Sequence, residues 1–175
     1  MKNAPISEQS LVFPSKLGWM AVVVVGGAVQ RLTFGHATAA AARRALNLPA
    51  KTNAGGACPL PDLARRLQAF AAGKDEPLDD IPVDLGSMTD FRHRVLGQCR
   101  RIPRGSTMSY AKLGEKAGFH DAARAVGNCM AANPIPLLIP CHRVVRADGR
   151  LGSYSAPGGG PMKRRLLALE STELT

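Results

Sequence analysis

Two apolar runs separated by a pair of glycines dominate the first part of the chain. Residues 18–25 and 28–34 are rich in valine and other apolar residues, with Gly26 and Gly27 between them. Apolar runs joined by two glycines predict a β-hairpin, and an unbroken row of valines predicts a strand buried on both faces. Residues 1–16 are polar and turn-forming, so we expect the chain to begin disordered.

Helical spacing appears twice before residue 86. The alanine-rich segment 37–46 predicts one helix, and the apolar positions of residues 63–72 predict a second helix that Gly73 ends. Glycine, proline and asparagine mark residues 48–61 as a loop. Residues 74–84 are predicted to lead through a short strand to a domain junction.

A helix-turn-helix pattern follows in the second part of the chain. Ser109 can cap a helix over residues 110–117, and Asp121 is predicted to begin another over residues 122–132. Gly118 lies in the short turn between them. Two short helices around a glycine-containing turn are typical of a helix-turn-helix.

Three further signals frame that motif. Ser87 or Thr89 can cap a preceding helix, and Asp148-Gly149 predicts a turn followed by a wing. Residues 162–169 predict a final amphipathic helix. The whole pattern predicts an α/β (α+β) protein with an N-terminal part, residues 1–86, and a C-terminal part, residues 87–175.

Charge divides unevenly between these two parts. The net charge is +10 with a pI near 10.1. Nine Lys or Arg and seven Asp or Glu lie in residues 1–86, against fourteen and six in residues 87–175. A basic half favours a polyanionic partner, above all nucleic acid, although a solvated basic surface would have the same composition.

The strongest candidate for chemistry is the motif Pro140-Cys141-His142-Arg143. Three prolines in residues 134–140 fix the backbone that leads to the cysteine. A thiol beside an imidazole and a guanidinium is a candidate nucleophile, provided that it reacts as the thiolate. A buried core cysteine is the alternative. On an extended strand, neighbouring side chains point to opposite faces, so direct contact between Cys141 and His142 is not expected.

The other cysteines indicate neither a disulfide scaffold nor a zinc site. Cys58, Cys99 and Cys129 form no CxxC pair and show no zinc-ligand spacing with Cys141. We therefore expect a reducing, intracellular compartment. The apolar segment 17–29 is too short to span a bilayer.

From residue 87 to residue 172 the chain resembles the O6-alkylguanine-DNA alkyltransferases, a family of suicide DNA-repair proteins. The motifs that carry the resemblance are Ser109-Tyr110, Ala123-Arg124-Ala125-Val126-Gly127, Asn133-Pro134, Ile139-Pro140-Cys141-His142-Arg143-Val144-Val145, Gly152-Ser153-Tyr154-Ser155 and Glu170. The resemblance implies a ribonuclease-H-like N-terminal domain with a small antiparallel sheet and a winged helix-turn-helix-like C-terminal domain. It also implies direct transfer of an alkyl group from guanine O6 to the protein, once per molecule.

The same resemblance assigns catalytic roles. Cys141 matches the nucleophile, His142 the base that acts through a water molecule, and Glu170 the carboxylate that orients it. Asn133 matches a hinge between the recognition helix and the active-site turn. Tyr110 matches the tyrosine that crowds the target phosphate and donates to the guanine ring. Without the family, Glu170 would be taken for a solvated acid at a helix end.

DNA contacts are implied for the second helix of the helix-turn-helix. Arg124 matches the arginine that fills the gap left by a flipped nucleotide, in a family that binds the minor groove. The small residues Ala123 and Ala125 let the helix approach closely, and Asn128 adds a polar contact. From spacing alone, Arg124 could equally form salt bridges within the protein.

Substrate contacts are implied for a loop and a turn near the cysteine. The matching positions are Tyr154, Ser155, Val144 and Pro136. Glycines in the segment 156–161 permit close approach or the mobility of a lid.

The resemblance also bears on partners. It implies double-stranded DNA carrying O6-alkylguanine, no cofactor and no membrane association, and we expect a monomer. Only His36 and Cys58 offer zinc ligands in the N-terminal part, so no metal is predicted. We expect a cytoplasmic protein, nucleoid-associated in a bacterium, or a nuclear protein in a eukaryote.

Three other functions fit parts of the pattern. An alkyltransferase-like lesion sensor would lack the cysteine, which is present here. A helix-turn-helix regulator should offer more base-reading side chains than Arg124 and Asn128. A cysteine hydrolase should show an oxyanion-hole motif or a Cys…His…Asn arrangement, and neither is recognisable.

Overall fold

The computed structural model describes residues 8–50 and 60–171. In chain order, the described elements are β1 (Glu8–Phe13), β2 (Trp19–Val25), β3 (Ala28–His36), α1 (Ala39–Ala45), α2 (Leu60–Ala71), α3 (Asp90–Arg100), β4 (Met108–Ser109), α4 (Tyr110–Lys116), α5 (Ala123–Ala131), a 3₁₀ turn (Cys141–Arg143), β5 (Val144–Val145) and α6 (Gly159–Glu170).

An antiparallel sheet in the order β1-β2-β3 forms the N-terminal half. The predicted hairpin is confirmed, since Gly26 and Gly27 have φ of 58° and 83° between β2 and β3. Both central residues of such a tight turn need positive φ, which glycine adopts at little cost. Strand β2 is buried on both faces, as predicted: Val22 faces the main core, and Val23 packs under α1.

Strand β1 corrects the expectation of a disordered start. Residues 8–13 pair along their length with β2, from Glu8 opposite Val25 to Phe13 opposite Met20. Backbone hydrogen bonds hold this edge strand although half of its residues are polar, and Ser10 is buried within it. Residues 1–7 lie outside the described residues.

The predicted helices form, with shifted ends. Helix α1 begins directly after its N-cap, Thr38, whose side chain accepts a hydrogen bond from the Ala41 amide. Helix α2 begins at Leu60, inside the predicted loop 48–61, with Pro61 in the first turn, where no amide donor is needed. Instead of a short strand in residues 74–84, Val83 forms a single parallel bridge to Val29 of β3.

The helix-turn-helix is confirmed as the contacting pair α4 and α5. Ser109 caps α4 by accepting from the Lys112 amide at 3.1 Å, and Gly118 (φ 88°) follows the helix end. The predicted start at Asp121 is wrong, because Asp121 has φ 54° and Ala122 is the N-cap, without a side-chain hydrogen bond.

Two structures on the C-terminal side complete the fold. Asp148 and Gly149 form the predicted turn, in which the Arg146 amide donates to the Arg150 carbonyl at 2.9 Å, but residues 150–155 are irregular rather than extended into a hairpin. Helix α6 starts at Gly159, three residues before the predicted segment. Within the described residues, no helix is both long and apolar enough to cross a membrane.

One apolar core joins the two halves of the chain. It includes Phe70 of α2, Val95 of α3, Ile139 before the 3₁₀ turn and Leu166 of α6, each at most 1% exposed. Strands β4 and β5 pair in parallel, Met108 opposite Val144, so the 3₁₀ turn is joined to the start of the helix-turn-helix. The division at residue 86 stays a prediction.

A glycine at the end of the β1–β2 connection gives a test of how closely the chain packs against the end of β3. Gly18 has φ 94°, and a Cβ there would lie 2.9 Å from the His36 carbonyl oxygen. We expect Gly18→Ala to lower the free energy of unfolding by about 3 kcal/mol, since left-handed strain of about 1–2 kcal/mol adds to a backbone clash. Urea denaturation measures it.

Gly27→Ala is the matched control. Gly27 also has positive φ, 83°, but nothing lies within 4 Å of an added Cβ. Its loss should be only about 1 kcal/mol, from strain alone. Equal losses in the two variants would contradict the close contact at Gly18.

Candidate active site

A hydrogen-bonded turn carries the chain from α5 to the cysteine. The Asn133 side chain accepts from the Ile135 amide at 3.0 Å and donates to the Ile139 carbonyl at 2.8 Å. Leu137 lies between them with φ 72°, a strained value for a residue with a side chain. Asn133 therefore closes the turn through its side chain, at the place where a hinge was predicted.

Cys141 lies in a 3₁₀ turn, which corrects the expectation of an extended strand. The Cys141 amide donates to the Ile139 carbonyl at 2.7 Å, and the Arg143 amide donates to the Pro140 carbonyl at 2.9 Å. Pro140 fixes the backbone before the turn, and extended structure begins only at Val144. The alternation of faces along a strand thus does not apply to Cys141 and His142.

His142 and Glu170 form a fully buried pair. The His142 side chain is 0% exposed and that of Glu170 is 1% exposed, with Nε2 and Oε1 2.6 Å apart. Arg143 binds the same carboxylate through Nε at 2.9 Å and Nη2 at 2.9 Å. Glu170 is therefore not a solvated helix-end acid. Its orienting role stays a prediction, for which this contact with His142 is required.

The proton arrangement of His142 follows from these contacts. An ionised carboxylate only accepts hydrogen bonds, so Nε2 carries the proton that it shares with Glu170. Burial lowers the pKa of His142 and so favours the neutral ring, although Glu170 acts in the opposite direction. The lone pair then lies on Nδ1, a buried atom that has no hydrogen-bond partner among the described residues. His142 can thus accept a proton at Nδ1.

Cys141 is buried, and burial raises its pKa. The Asn133 amide, the positive charge of Lys163 and the Tyr154 hydroxyl act in the opposite direction but do not outweigh burial. The group at rest is therefore the thiol, and a base must remove its proton before the sulfur reacts as a nucleophile.

Lys163 is the site residue that the sequence analysis missed. Its side chain is buried, and Nζ donates to the Val144 carbonyl at 2.6 Å and to the Tyr110 hydroxyl at 3.3 Å. The ammonium also lies 5.5 Å from the centroid of the Tyr110 ring. The signal was present in the sequence: Lys163, Leu166 and Glu170 are spaced i, i+3 and i+7 and share one face of α6.

Two cavities meet at the thiol. A cavity of about 120 Å³, here called the helix-side cavity, is lined by Tyr110, Gly127, Met130, Ala131, Cys141, Ser153, Tyr154 and Ser155. A cavity of about 130 Å³, here called the sheet-side cavity, is lined by Leu32, Thr33, Phe34, Asn133, Pro136, Cys141, Tyr154, Ser155, Ala156 and Pro157. Strand β3 thus contributes a wall that the sequence analysis did not predict.

The predicted substrate residues divide between these cavities. Tyr154 and Ser155 border both, and Pro136 borders only the sheet-side cavity. The Val144 side chain is buried in the core, and its carbonyl binds Lys163. Val144 therefore contacts the site through its backbone rather than by lining either cavity.

The predicted DNA-binding residues lie apart from this buried cluster. Ala123, Arg124, Ala125 and Asn128 are all exposed on α5. Arg124 forms no salt bridge with any of the described residues, so the alternative of an internal ion pair has no support there. The buried face of α5 includes Met130, which reaches the helix-side cavity.

The remaining sulfur atoms differ from Cys141 in their surroundings. Cys99 and Cys129 are free and buried, and burial raises the pKa of each. Neither lines the two cavities, whereas Cys141 lines both. Cys58 lies outside the described residues. Among the residues that the structure describes, no three His, Cys, Asp or Glu side chains are grouped to hold a metal.

Comparisons of the sequence with known proteins all indicate the same family. Residues 90–172 match the model of the 6-O-methylguanine DNA methyltransferase, DNA binding domain. Methylated-DNA–protein-cysteine methyltransferases are 39% identical over 108 residues in Methanothermobacter thermautotrophicus (62% of this chain, 59% of the relative) and 42% identical over 117 residues in Mus musculus (64% and 55%). The matches thus span little more than half the length of these relatives.

Solved structures match nearly the whole fold. The Mycobacterium tuberculosis O6-methylguanine methyltransferase gives a TM-score of 0.76 at 30% identity, covering 97% of this chain and 96% of that one. The M. tuberculosis OGT in complex with DNA gives a TM-score of 0.72 at 29% identity, covering 93% and 92%.

Fold and site together define a class of α+β protein in which a helix-turn-helix is joined to a buried cysteine–histidine–glutamate cluster. Within that class, the chain belongs to the 6-O-methylguanine-DNA methyltransferase family. The resemblance and the fold class inferred from the sequence are confirmed.

The ionisation of Glu170 should be visible in the stability of the protein. Burial alone would raise its pKa, but hydrogen bonds from His142 and Arg143 outweigh burial and lower the pKa to about 2. A lowered folded-state pKa stabilises the protein above the unfolded value near 4.5, and this stabilisation is lost as pH falls towards 2. Glu170→Gln should flatten the decline of unfolding free energy between these pH values.

Guanidinium denaturation at several pH values between 2 and 6 measures this effect. Glu115→Gln, the same change at an exposed position of α4, is the control and should keep the wild-type slope. An unchanged slope in Glu170→Gln would show that the buried carboxylate does not contribute to acid lability.

Proposed function

We propose that this chain repairs DNA by transferring an alkyl group from O6 of alkylated guanine to Cys141, as a methylated-DNA–protein-cysteine S-methyltransferase. The observation that carries the proposal is the buried contact between His142 and Glu170 directly beside Cys141. The relatives named for this activity, and the M. tuberculosis protein crystallised with DNA, support it.

The reaction begins with the thiol proton. His142, neutral and held by Glu170, takes that proton at Nδ1 through an intervening water molecule. Lys163 and Asn133 stabilise the negative sulfur at the moment when it forms, which offsets part of the cost of a buried charge. The thiolate is therefore formed in a site that excludes bulk solvent.

Alkyl transfer is then a single displacement. The sulfur–carbon bond forms as the carbon–O6 bond breaks, and its electron pair passes to the guanine, which takes up one proton. Tyr110 lines the helix-side cavity, where its hydroxyl can donate to the guanine ring. The thioether product has no good leaving group, so each molecule acts once and needs no cofactor.

Access to the base requires that it leaves the duplex. The exposed residues Ala123, Ala125 and Asn128 place little bulk on α5, and Arg124 is the long side chain free to enter the gap. Tyr154, Ser155 and Pro136 would then surround the alkylated base, with the Val144 carbonyl fixing Lys163 below it.

The partner and its location follow from the substrate. The protein acts as a monomer on double-stranded DNA, in the bacterial cytoplasm with the nucleoid or in a eukaryotic nucleus.

We divide the chain at residue 86 into an N-terminal domain and a DNA-binding, alkyl-transfer domain. The family match from residue 90 supports this division. A lesion sensor without transfer remains the second class of function, and the presence of Cys141 argues against it.

Loss of the thiol separates transfer from binding. We expect Cys141→Ala to abolish transfer from an O6-methylguanine duplex while keeping its affinity for that duplex, because the exposed α5 residues are unchanged. Intact-mass spectrometry detects the methyl adduct, and fluorescence anisotropy measures binding. In the wild-type protein, peptide mapping should place the adduct on Cys141 alone, with Cys99→Ala as the control that retains transfer. A methylated Cys141→Ala protein would refute the proposal.

Arg124 should matter only where a duplex must stay open. We expect Arg124→Ala to slow transfer from duplex DNA by about tenfold or more, since a lost insertion leaves unstacking of a few kcal/mol uncompensated. Transfer from free O6-benzylguanine should change little. Single-turnover kinetics with both substrates provide the measurement, and Arg150→Ala, an exposed arginine beyond α5, is the control. Equal slowing with both substrates would remove the insertion role.

A further inference from the structure

A cavity larger than the two at the thiol does not contain Cys141. It measures about 570 Å³ and lies between α2, the segment that follows it, the end of α3 and the turn that leads to the cysteine. Cavities of 300–1,000 Å³ between two halves of a chain are typical of small-molecule sites. This one is separate from the two cavities at the thiol.

Its floor is apolar. Phe70 of α2, Ile102 after α3 and the pair Leu137-Leu138 supply the surface. All four residues are buried members of the main core. The apolar part of a rigid ligand would therefore lie against a well-packed surface rather than against mobile side chains.

One of the cationic side chains in its walls has no ion-pair partner among the described residues. Glu76 lies 2.7 Å from Arg66, and Arg143 is bound to Glu170, so both of these lining groups are already neutralised. Arg100, Arg101 and Arg104 remain, against the carboxylates of Asp75 and Asp79 at the rim. Arg66 binds Asp80 as well as Glu76, and Arg100 interacts with the carboxylates of both Asp79 and Asp80, so these acidic and basic groups balance in number. Arg101, however, forms no ion pair with any described residue, and its guanidinium on the cavity wall favours a ligand that carries a negative charge.

Arg104 carries a buried donor that is not satisfied within the described residues. Its guanidinium lies over the Phe70 ring at 5.4 Å, and Nη2 donates to the Leu169 carbonyl at 3.1 Å. Nη1 is buried without a hydrogen-bond partner among the described residues, and the Asp75 carboxylate is 3.7 Å from Nε. A buried donor that makes no hydrogen bond is costly, and a ligand anion would remove that cost after a small side-chain movement.

We propose that this cavity binds a small amphipathic monoanion, with an apolar planar body on Ile102 and Leu138 and a carboxylate on Arg101 and Arg104. The chemistry fits an aromatic or short aliphatic carboxylate. Arg104 binds the Leu169 carbonyl next to Glu170, so an occupied site contacts the element that supports His142.

Binding of 2-naphthoate to the full chain tests the site directly. We expect saturable binding of one molecule per chain, with a Kd on the order of 1 mM or tighter for a ligand of this size. In an ¹⁵N-labelled sample, amide shifts should change at Gly97, Ile102 and Leu138. Absence of saturation at 10 mM naphthoate, on the order of ten times that Kd, or shifts centred on α5 instead, would overturn the proposal.

Variants of the cavity and matched ligands test which groups recognise naphthoate. Arg101→Met, at an exposed position, should weaken naphthoate at least tenfold, as should Arg104→Met, while Asp79→Asn should strengthen it. Arg150→Met, away from the cavity, is the control. The neutral 2-naphthamide and inorganic phosphate should each bind at least tenfold more weakly, because naphthamide lacks the negative charge and phosphate lacks the apolar body. Equal affinity for naphthoate and naphthamide, or no effect of Arg101→Met, would refute an anion site.

Discussion

The Glu170 carboxylate is the interaction on which the site depends. Inside the core it binds His142 and Arg143 together, so that one buried negative charge fixes the imidazole and the guanidinium on consecutive residues of the 3₁₀ turn. A buried carboxylate is tolerated only when its hydrogen bonds are satisfied. Here hydrogen bonds from His142 and Arg143 offset the cost of burial, and they also orient the imidazole so that Nδ1 is the nitrogen without a proton.

A second constraint is the balance of charge around the thiol. Burial opposes the thiolate, and the side chains of Asn133, Lys163 and Tyr154 favour it without outweighing burial. Such a balance keeps the sulfur protonated, and therefore unreactive, until a base acts. Lys163 contributes twice to this balance, because the same ammonium that favours the thiolate also ties the Val144 carbonyl to the Tyr110 hydroxyl. The chemistry and the local packing thus share one side chain.

The sequence supported predictions wherever local chemistry determines structure. Glycine pairs, caps such as Ser109 and helical spacing located the hairpin and the helix-turn-helix. Strand β1 was missed because its stability comes from pairing with β2 rather than from its own residues. The 3₁₀ turn was missed because valines after Cys141 favour a strand. Lys163 and the wall from β3 depend on contacts between distant segments, which spacing along a helix could indicate only for Lys163.

Helix α6 supplies the carboxylate of the site, and this order along the chain has a consequence during synthesis. Cys141 leaves the peptidyl-transferase centre 29 residues ahead of Glu170. At about 5–20 residues per second, the nascent chain carries its thiol for about 1.5–6 seconds before the orienting carboxylate is made. Until α6 docks, His142 lacks its hydrogen-bond partner. Under the proposed mechanism, the Cys141 thiol of a ribosome-bound chain can therefore be activated only once the last described helix has folded.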